Sequence, residues 1–205
     1  MSLHTKASAY PRMRNEAYYT PPSASAPMLG FCARNGLLSL RSIELCEPAA
    51  GAGHIAKVLR QADPRALATD LHPAKVQVSP VAQLDFLKSS GPSGRHPLGL
   101  FTNPPYGQQS ELALAFIRHG LDLILARGGF LCLLLPFEFD SRKSRAELLS
   151  DHPLYASRQT LGTRVRWINL AQKKHSPMGH HTWHLWVEDT MIRRRIRQHD
   201  AWGVL

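Results

Sequence analysis

Cysteine is scarce in this chain. Cys32, Cys46 and Cys132 stand far apart, and no C-x-x-C pair occurs. So few scattered thiols exclude a disulfide framework and offer no structural zinc spacing. Long hydrophobic runs are missing as well: the longest, "GGFLCLLLPF", is too short to span a bilayer. The opening "MSLHTKASAYPRMRNEAYYT" holds no apolar core of the kind a secretory signal needs. These absences predict a soluble, cytoplasmic protein with no membrane partner. Acidic residues are the remaining shortage, 15 against 25 lysines and arginines, for a net charge of +10. Residues 141–205 carry +7 of it. A surface so biased attracts phosphate backbones and predicts a nucleic-acid partner.

The chain has 205 residues, 43% of them hydrophobic, enough for the core of one domain. Apolar runs and helix-period stretches alternate along it. "SIELCEP", "RALATDL", "VAQLDFL", "PLGLFTN" and "FLCLLLPF" read as strands; "SAPMLGFCARNGLL", "GHIAKVLRQA" and "SELALAFIRHGLDLILA" read as helices. That alternation predicts an α/β fold with a mostly parallel sheet and helices on both faces. Farther on, "SRKSRAELL" is a basic helix candidate. "RVRWINL" and "HTWHLWVE" are expected to form an antiparallel hairpin at the sheet edge, joined by "AQKKHSPMG". The expected organisation is an N-terminal arm over 1–17, a single domain over 18–190 and a basic tail over 191–205.

Polar residues gather where the strands end. In "ELCEPAAGAGHIA", Glu47 closes the first strand, and Pro48 to Gly53 make a turn poor in side chains, so a ligand can approach its backbone closely. The turn is neither a G-x-G-x-x-G dinucleotide fingerprint nor a lysine-bearing P-loop, so a diphosphate is not its obvious ligand. Asp70 ends the second strand, where α/β folds bind ribose hydroxyls. Asp85 and Phe86 end the third, and "TNPPY" ends the fourth. Each segment alone is consistent with an ordinary turn. Together they mark the carboxyl edge of the sheet, where such folds bind ligands. His175, His180, His181 and His184 cluster without a metal-ligand spacing, so no metal is predicted.

The order "YYTPP", "EPAAGAG", "TDL", "LDF", "TNPPY", "LPFEF" resembles the S-adenosylmethionine-dependent amino-methyltransferases. It is most similar to the compact bacterial and phage DNA adenine-amino methyltransferases, over about residues 16–188. The resemblance implies a Rossmann-like class I methyltransferase fold and S-adenosyl-L-methionine as cofactor. Tyr18, Tyr19, Thr20 and Pro21 would close over its methionine end, which Glu47, Ala49, Gly51 and Gly53 would line. Asp70 with Leu71 would hold the ribose, and Asp85 with Phe86 the cofactor's adenine. Asn103, Pro104, Pro105 and Tyr106 would be catalytic, with Asn103 also at the cofactor. The Asn103 side-chain oxygen and the Pro104 carbonyl would accept the hydrogens of an adenine amine, and Tyr106 would stack on the base. Phe137, Arg142, Lys143, Arg145, Lys173 and Lys174 are the candidates for touching nucleic acid, DNA ahead of RNA. With no recognition domain expected, a partner subunit could supply specificity. Enzymes acting on RNA bases or on a release-factor glutamine use the same tetrapeptide, and a non-catalytic nucleic-acid-binding subunit is a further alternative.

Overall fold

The run "GFLCLLLP" has no polar side because both of its faces are covered. In the computed structural model, which describes residues 18–40, 42–168 and 179–205, it is strand β5 (Gly129–Pro136). Phe130, Cys132 and Leu134 pack on one side with α1 (Pro22–Arg34) and α2 (His54–Ala62). Leu131, Leu133 and Leu135 pack on the other with α3 (Glu111–Arg127). Strand β4 (Leu98–Thr102) is buried along its length and divides the same way, Phe101 to the first side and Leu98 and Leu100 to the second. Each such side chain contributes about 1.5–3 kcal/mol when fully buried.

The other strands among the described residues are β1 (Glu44–Glu47), β2 (Leu67–Asp70), β3 (Ala82–Gln83), β6 (Tyr155–Thr160), β7 (His181–Val187) and β8 (Trp202–Val204). All eight form one sheet in the order β3-β2-β1-β4-β5-β7-β6-β8. β1 to β5 run parallel, β7 runs antiparallel to both β5 and β6, and β8 pairs parallel with β6. The chain moves outward from β1 to β2 and β3 on one side, and to β4 and β5 on the other. The crevice where this direction reverses, at the carboxyl ends of β1 and β4, is where an open α/β sheet takes its ligand.

Four expectations are corrected. β7 is interior to the sheet, and its partner on the far side from β5 is β6, "YASRQT", instead of "RVRWINL". β6 escaped notice because it is polar. Its buried Ser157 and Gln159 both donate to the carbonyl of Asp200, which satisfies them inside the fold. The described part of "RVRWINL", residues 164–168, pairs only through an isolated bridge between Ile168 and Tyr19. The basic helix candidate is a pair of tight 3-10 turns, Phe137–Ser141 and Lys143–Leu148. Residues 191–205 are no loose tail. They supply α4 (Thr190–His199), capped by the Asp189 side chain and anchored by buried Ile196, and then β8. The strand predicted through "VAQLDFL" shrinks to two residues, because Asp85 caps a 3-10 turn over Phe86–Lys88.

Candidate active site

Glu47 ends β1 fully within the fold, and its carboxylate accepts the amide of Ala56, the third residue of α2. The strand end thus caps the helix that follows it. Burial holds the Glu47 carboxyl well above the usual carboxylate range, partly offset by that amide. Between strand and helix, Gly51 and Gly53 both sit in the left-handed region, at φ +53° and +83°. They are needed for different reasons. A Cβ on Gly53 would lie 2.5 Å from the Ser79 carbonyl, so this glycine admits the loop after β2. A Cβ on Gly51 would lie 2.9 Å from the Tyr19 ring. The Gly51 amide donates to Asp70 Oδ2 at 2.8 Å, and the His72 amide donates to Asp70 Oδ1 at 2.7 Å. Asp70 therefore ties the glycine turn to the end of β2.

Tyr19 belongs to a strap, residues 18–21, that crosses this turn. Its ring stacks on His54 with centroids 5.3 Å apart and planes 21° from parallel. Its carbonyl accepts the Ile168 amide at 2.9 Å. Burial, helped by Lys57, lowers the His54 pKa, so the imidazole is neutral at neutral pH. His54 Nδ1 is buried without a hydrogen-bond partner among the described residues. A turn poor in side chains, a ring nitrogen without a partner among the described residues and a half-buried carboxylate at the next strand end suit a ligand with an amino-acid end and a ribose.

The same strap holds the end of β4. Asn103 Nδ2 donates to Thr20 Oγ1 at 3.2 Å and to the Tyr18 carbonyl at 3.4 Å. A carbonyl can only accept, so this contact fixes which end of the amide is nitrogen. Asn103 Oδ1 accepts the Tyr106 hydroxyl at 3.0 Å, and that hydroxyl also reaches the Leu134 carbonyl at 3.5 Å. Pro104 is buried and Pro105 half-buried. The Tyr106 carbonyl accepts the amides of Leu112 and Ala113 and so caps the start of α3. Between them, Gln109 and Ser110 take left-handed backbone angles that cost a non-glycine residue energy.

The remaining expected residues divide. Pro21 and Ala49 are half-buried beside the strap and the turn. Leu71 is exposed just past Asp70. Asp85 accepts the Leu87 amide and pairs with Lys88 at 3.2 Å. Phe86 is a core side chain, packed on Phe116 and His119. Arg142 and Lys143 are exposed, with no acidic partner among the described residues. Arg145 is a correction: it is buried, lies 4.1 Å over the Phe139 ring, and donates to the Phe139 and Gln109 carbonyls. Its guanidinium braces the strained loop after the tetrapeptide instead of facing phosphate. Phe137 is exposed, with Arg158 over its ring at 4.4 Å. Lys173, Lys174 and His175 lie outside the described residues.

Arg164, Arg166 and Trp167 belong to "RVRWINL", a segment the sequence pattern assigns to a strand. Trp167 stands edge-on to His181 and 6.0 Å from Tyr18, next to the strap that holds Asn103. Val165 is buried, which turns its neighbours Arg164 and Arg166 outward together. They line a cleft of about 400 Å³ with Ser23, Leu161 and Thr163. The alternation of "RVRW" was the available signal, with its charged and aromatic members on the open side.

This sheet order, with helices on both faces and the glycine turn at the reversal, is the Rossmann-like class I methyltransferase fold. Two solved structures are similar to the chain. One is a protein of Listeria monocytogenes provisionally named a class I S-adenosylmethionine-dependent methyltransferase, at TM-score 0.58 and 13% identity over 84% of this chain. The match spans 61% of that protein's length. The other is provisionally named an RNA methyltransferase, from Pyrococcus horikoshii, at TM-score 0.58 and 17% identity over 87% of this chain and 90% of that one. No protein-family model and no curated protein sequence matches the chain. Among the described residues no helix is long and apolar enough to cross a membrane.

Proposed function

We propose that this chain is an S-adenosylmethionine-dependent N-methyltransferase whose substrate is the exocyclic amine of adenine in DNA. The observation that carries the reading is the fixed polarity of the Asn103 amide, one strand away from the Gly51 turn. When bound, the cofactor supplies a methyl carbon on a positively charged sulfur, already activated toward attack. The chain's own residues hold the parts. Asp70, Gly51 and Glu47 shape the cofactor cradle, and the Tyr18–Pro21 strap covers it. Asn103 Oδ1 has a second lone pair beside the one taken by Tyr106, and with the Pro104 carbonyl it accepts the two amine hydrogens. That pair of acceptors favours a pyramidal nitrogen with its lone pair free to attack. The Tyr106 ring offers a face for the base, and Trp167 and Tyr18 offer another aromatic surface beside it. Such a site admits only an unpaired base, either flipped from a duplex or taken from a single strand. Orientation supplies most of the rate, since no strong base is needed before attack.

The excess of basic residues favours nucleic acid over a protein glutamine. Arg164 and Arg166 beside the strap, with Arg142 and Lys143, are assigned to backbone phosphates. The test is mass spectrometry of nucleosides after incubating the protein with labelled S-adenosylmethionine and, separately, DNA and RNA. Label on N6-methyladenine from DNA is the expected result. Label only from RNA moves the substrate, and label from neither rejects the reading.

A further inference from the structure

Trp202 is the first residue of β8, the strand at the sheet edge, and it is 66% exposed. Phe137 follows β5 and is 42% exposed. A large exposed ring calls for an explanation, and here two share one support. The guanidinium of Arg158, on β6, lies 4.4 Å from the Phe137 centroid and 5.5 Å from the Trp202 centroid. Arg158 and Trp202 are direct neighbours in the pairing of β6 with β8. Arg158 also donates to the Phe137 carbonyl at 3.0 Å and pairs with Asp140 at 2.9 Å. The Phe137 carbonyl and the Asp140 carboxylate hold the guanidinium in place, so its part is to fix the two rings.

The rings are therefore braced, with Trp202 largely and Phe137 partly uncovered. Arg142 and Lys143 are exposed on the two turns that follow Phe137, where Glu138 and Glu147 are the exposed acids. β8 lies four strand spacings from β4 across the sheet, ~19 Å. The edges that carry Phe137 and the tetrapeptide are the same carboxyl edge, because β4 and β5 are parallel. A strand of nucleic acid whose target base sits at Asn103 would pass this rim within a few nucleotides.

We infer that Trp202 and Phe137, braced by Arg158, form a stacking platform for an unpaired base of single-stranded nucleic acid flanking the target. The inference rests on the nucleic-acid reading above and narrows it to a substrate locally single-stranded beyond the target base. Stacking suits the site because every base has a flat face, so the platform binds without selecting sequence. Pairing would hide that face, so duplex DNA would engage it poorly.

The probe is a single-stranded, adenine-containing DNA oligonucleotide, titrated against the wild type, Trp202→Ala and Trp202→Phe, with a blunt duplex as comparison. Thermal midpoint and S-adenosylmethionine affinity report whether each variant is folded. Trp202→Ala is expected to weaken single-strand binding by about 5- to 100-fold. Trp202→Phe should keep most of the affinity, and duplex binding should change little. Replacing flanking nucleotides one at a time with abasic residues should find a position where wild type and Trp202→Ala become equal. Equal single-strand binding by wild type and Trp202→Ala overturns the platform while leaving the nucleic-acid reading standing. A wild type that binds no oligonucleotide removes both. A wild-type dimer that Trp202→Ala converts to a monomer makes this edge a subunit contact and overturns the inference.

Discussion

The side-chain amide of Asn103 is held by the hydroxyl of Thr20, 83 residues earlier in the chain, at 3.2 Å. The contact turns the Asn103 oxygen away from the strap. If that oxygen receives an amine hydrogen during transfer, two substitutions should separate. Asn103→Ala should lower kcat by several orders of magnitude with S-adenosylmethionine affinity nearly unchanged, since its contact strengthens toward the transition state. Thr20→Val keeps the amide and its bonds to the Tyr18 carbonyl and the Tyr106 hydroxyl but removes one of its restraints, and should lower kcat by no more than about tenfold. Single-turnover methylation of an adenine oligonucleotide measures both. Wild-type turnover in Asn103→Ala would reduce the tetrapeptide to a turn.

Tyr106 has two separable parts. Its ring is assigned to stacking, and its hydroxyl donates to Asn103 Oδ1 at 3.0 Å. Tyr106→Ala should lose about 1–3 kcal/mol of base stacking and weaken substrate binding. Tyr106→Phe keeps the ring and loses a hydrogen bond worth about 0.5–1.5 kcal/mol, so its turnover should stay within about tenfold of wild type. Equal losses in the two variants would mean that the hydroxyl dominates.

The two strand-end anchors of the cradle were readable because their chemistry is local. Glu47 and Asp70 each follow a short apolar run, and the glycines announce the turn between them. What could not be read was partnership at a distance. Nothing in "RQ" and "HD" reveals that Gln159 and Asp200 bond across 41 residues, so a buried polar strand carries no apolar signal. Likewise "SRKSR" looked like a solvated basic face, although Arg145 alone turns inward to brace Gln109. Sequence pattern separates exposed from buried only when side chains carry their usual polarity, and both cases break that habit.

Arg145 and the pair Arg164 and Arg166 should therefore behave oppositely when changed to glutamine. Arg145→Gln removes charge-assisted bonds to two carbonyls and should cost about 1.5–3 kcal/mol of stability. The salt dependence of nucleic-acid binding should be unaffected. The double variant Arg164→Gln with Arg166→Gln should keep wild-type stability. If each meets one phosphate, the log–log slope of affinity against salt should fall by about 1.4–1.8. Urea unfolding and binding at several ionic strengths measure the two effects. An unchanged slope in the double variant would remove the cleft from the nucleic-acid path.

His184 gives the stability a predictable pH dependence. It lies within β7, fully buried, with Nδ1 2.7 Å from the Tyr155 hydroxyl. Burial, reinforced by Arg158, pushes its pKa down to about 3 from an ordinary 6.5. His181, on the same strand, is pushed down to about 4, mainly by burial. Below the ordinary value the unfolded chain takes up protons that the folded imidazoles refuse. Stability is therefore fully present above about pH 6.5 and declines as the pH falls toward the folded values. Each histidine adds at most about 1.4 kcal/mol per pH unit to that slope. His184→Gln can still bond the Tyr155 hydroxyl but binds no proton, so it should remove one histidine's share and leave that of His181. Urea unfolding at neutral pH and at about pH 5 measures the difference. An identical slope in His184→Gln would mean that the ring is protonated in the folded state, and that the Tyr155 contact is made by an imidazolium.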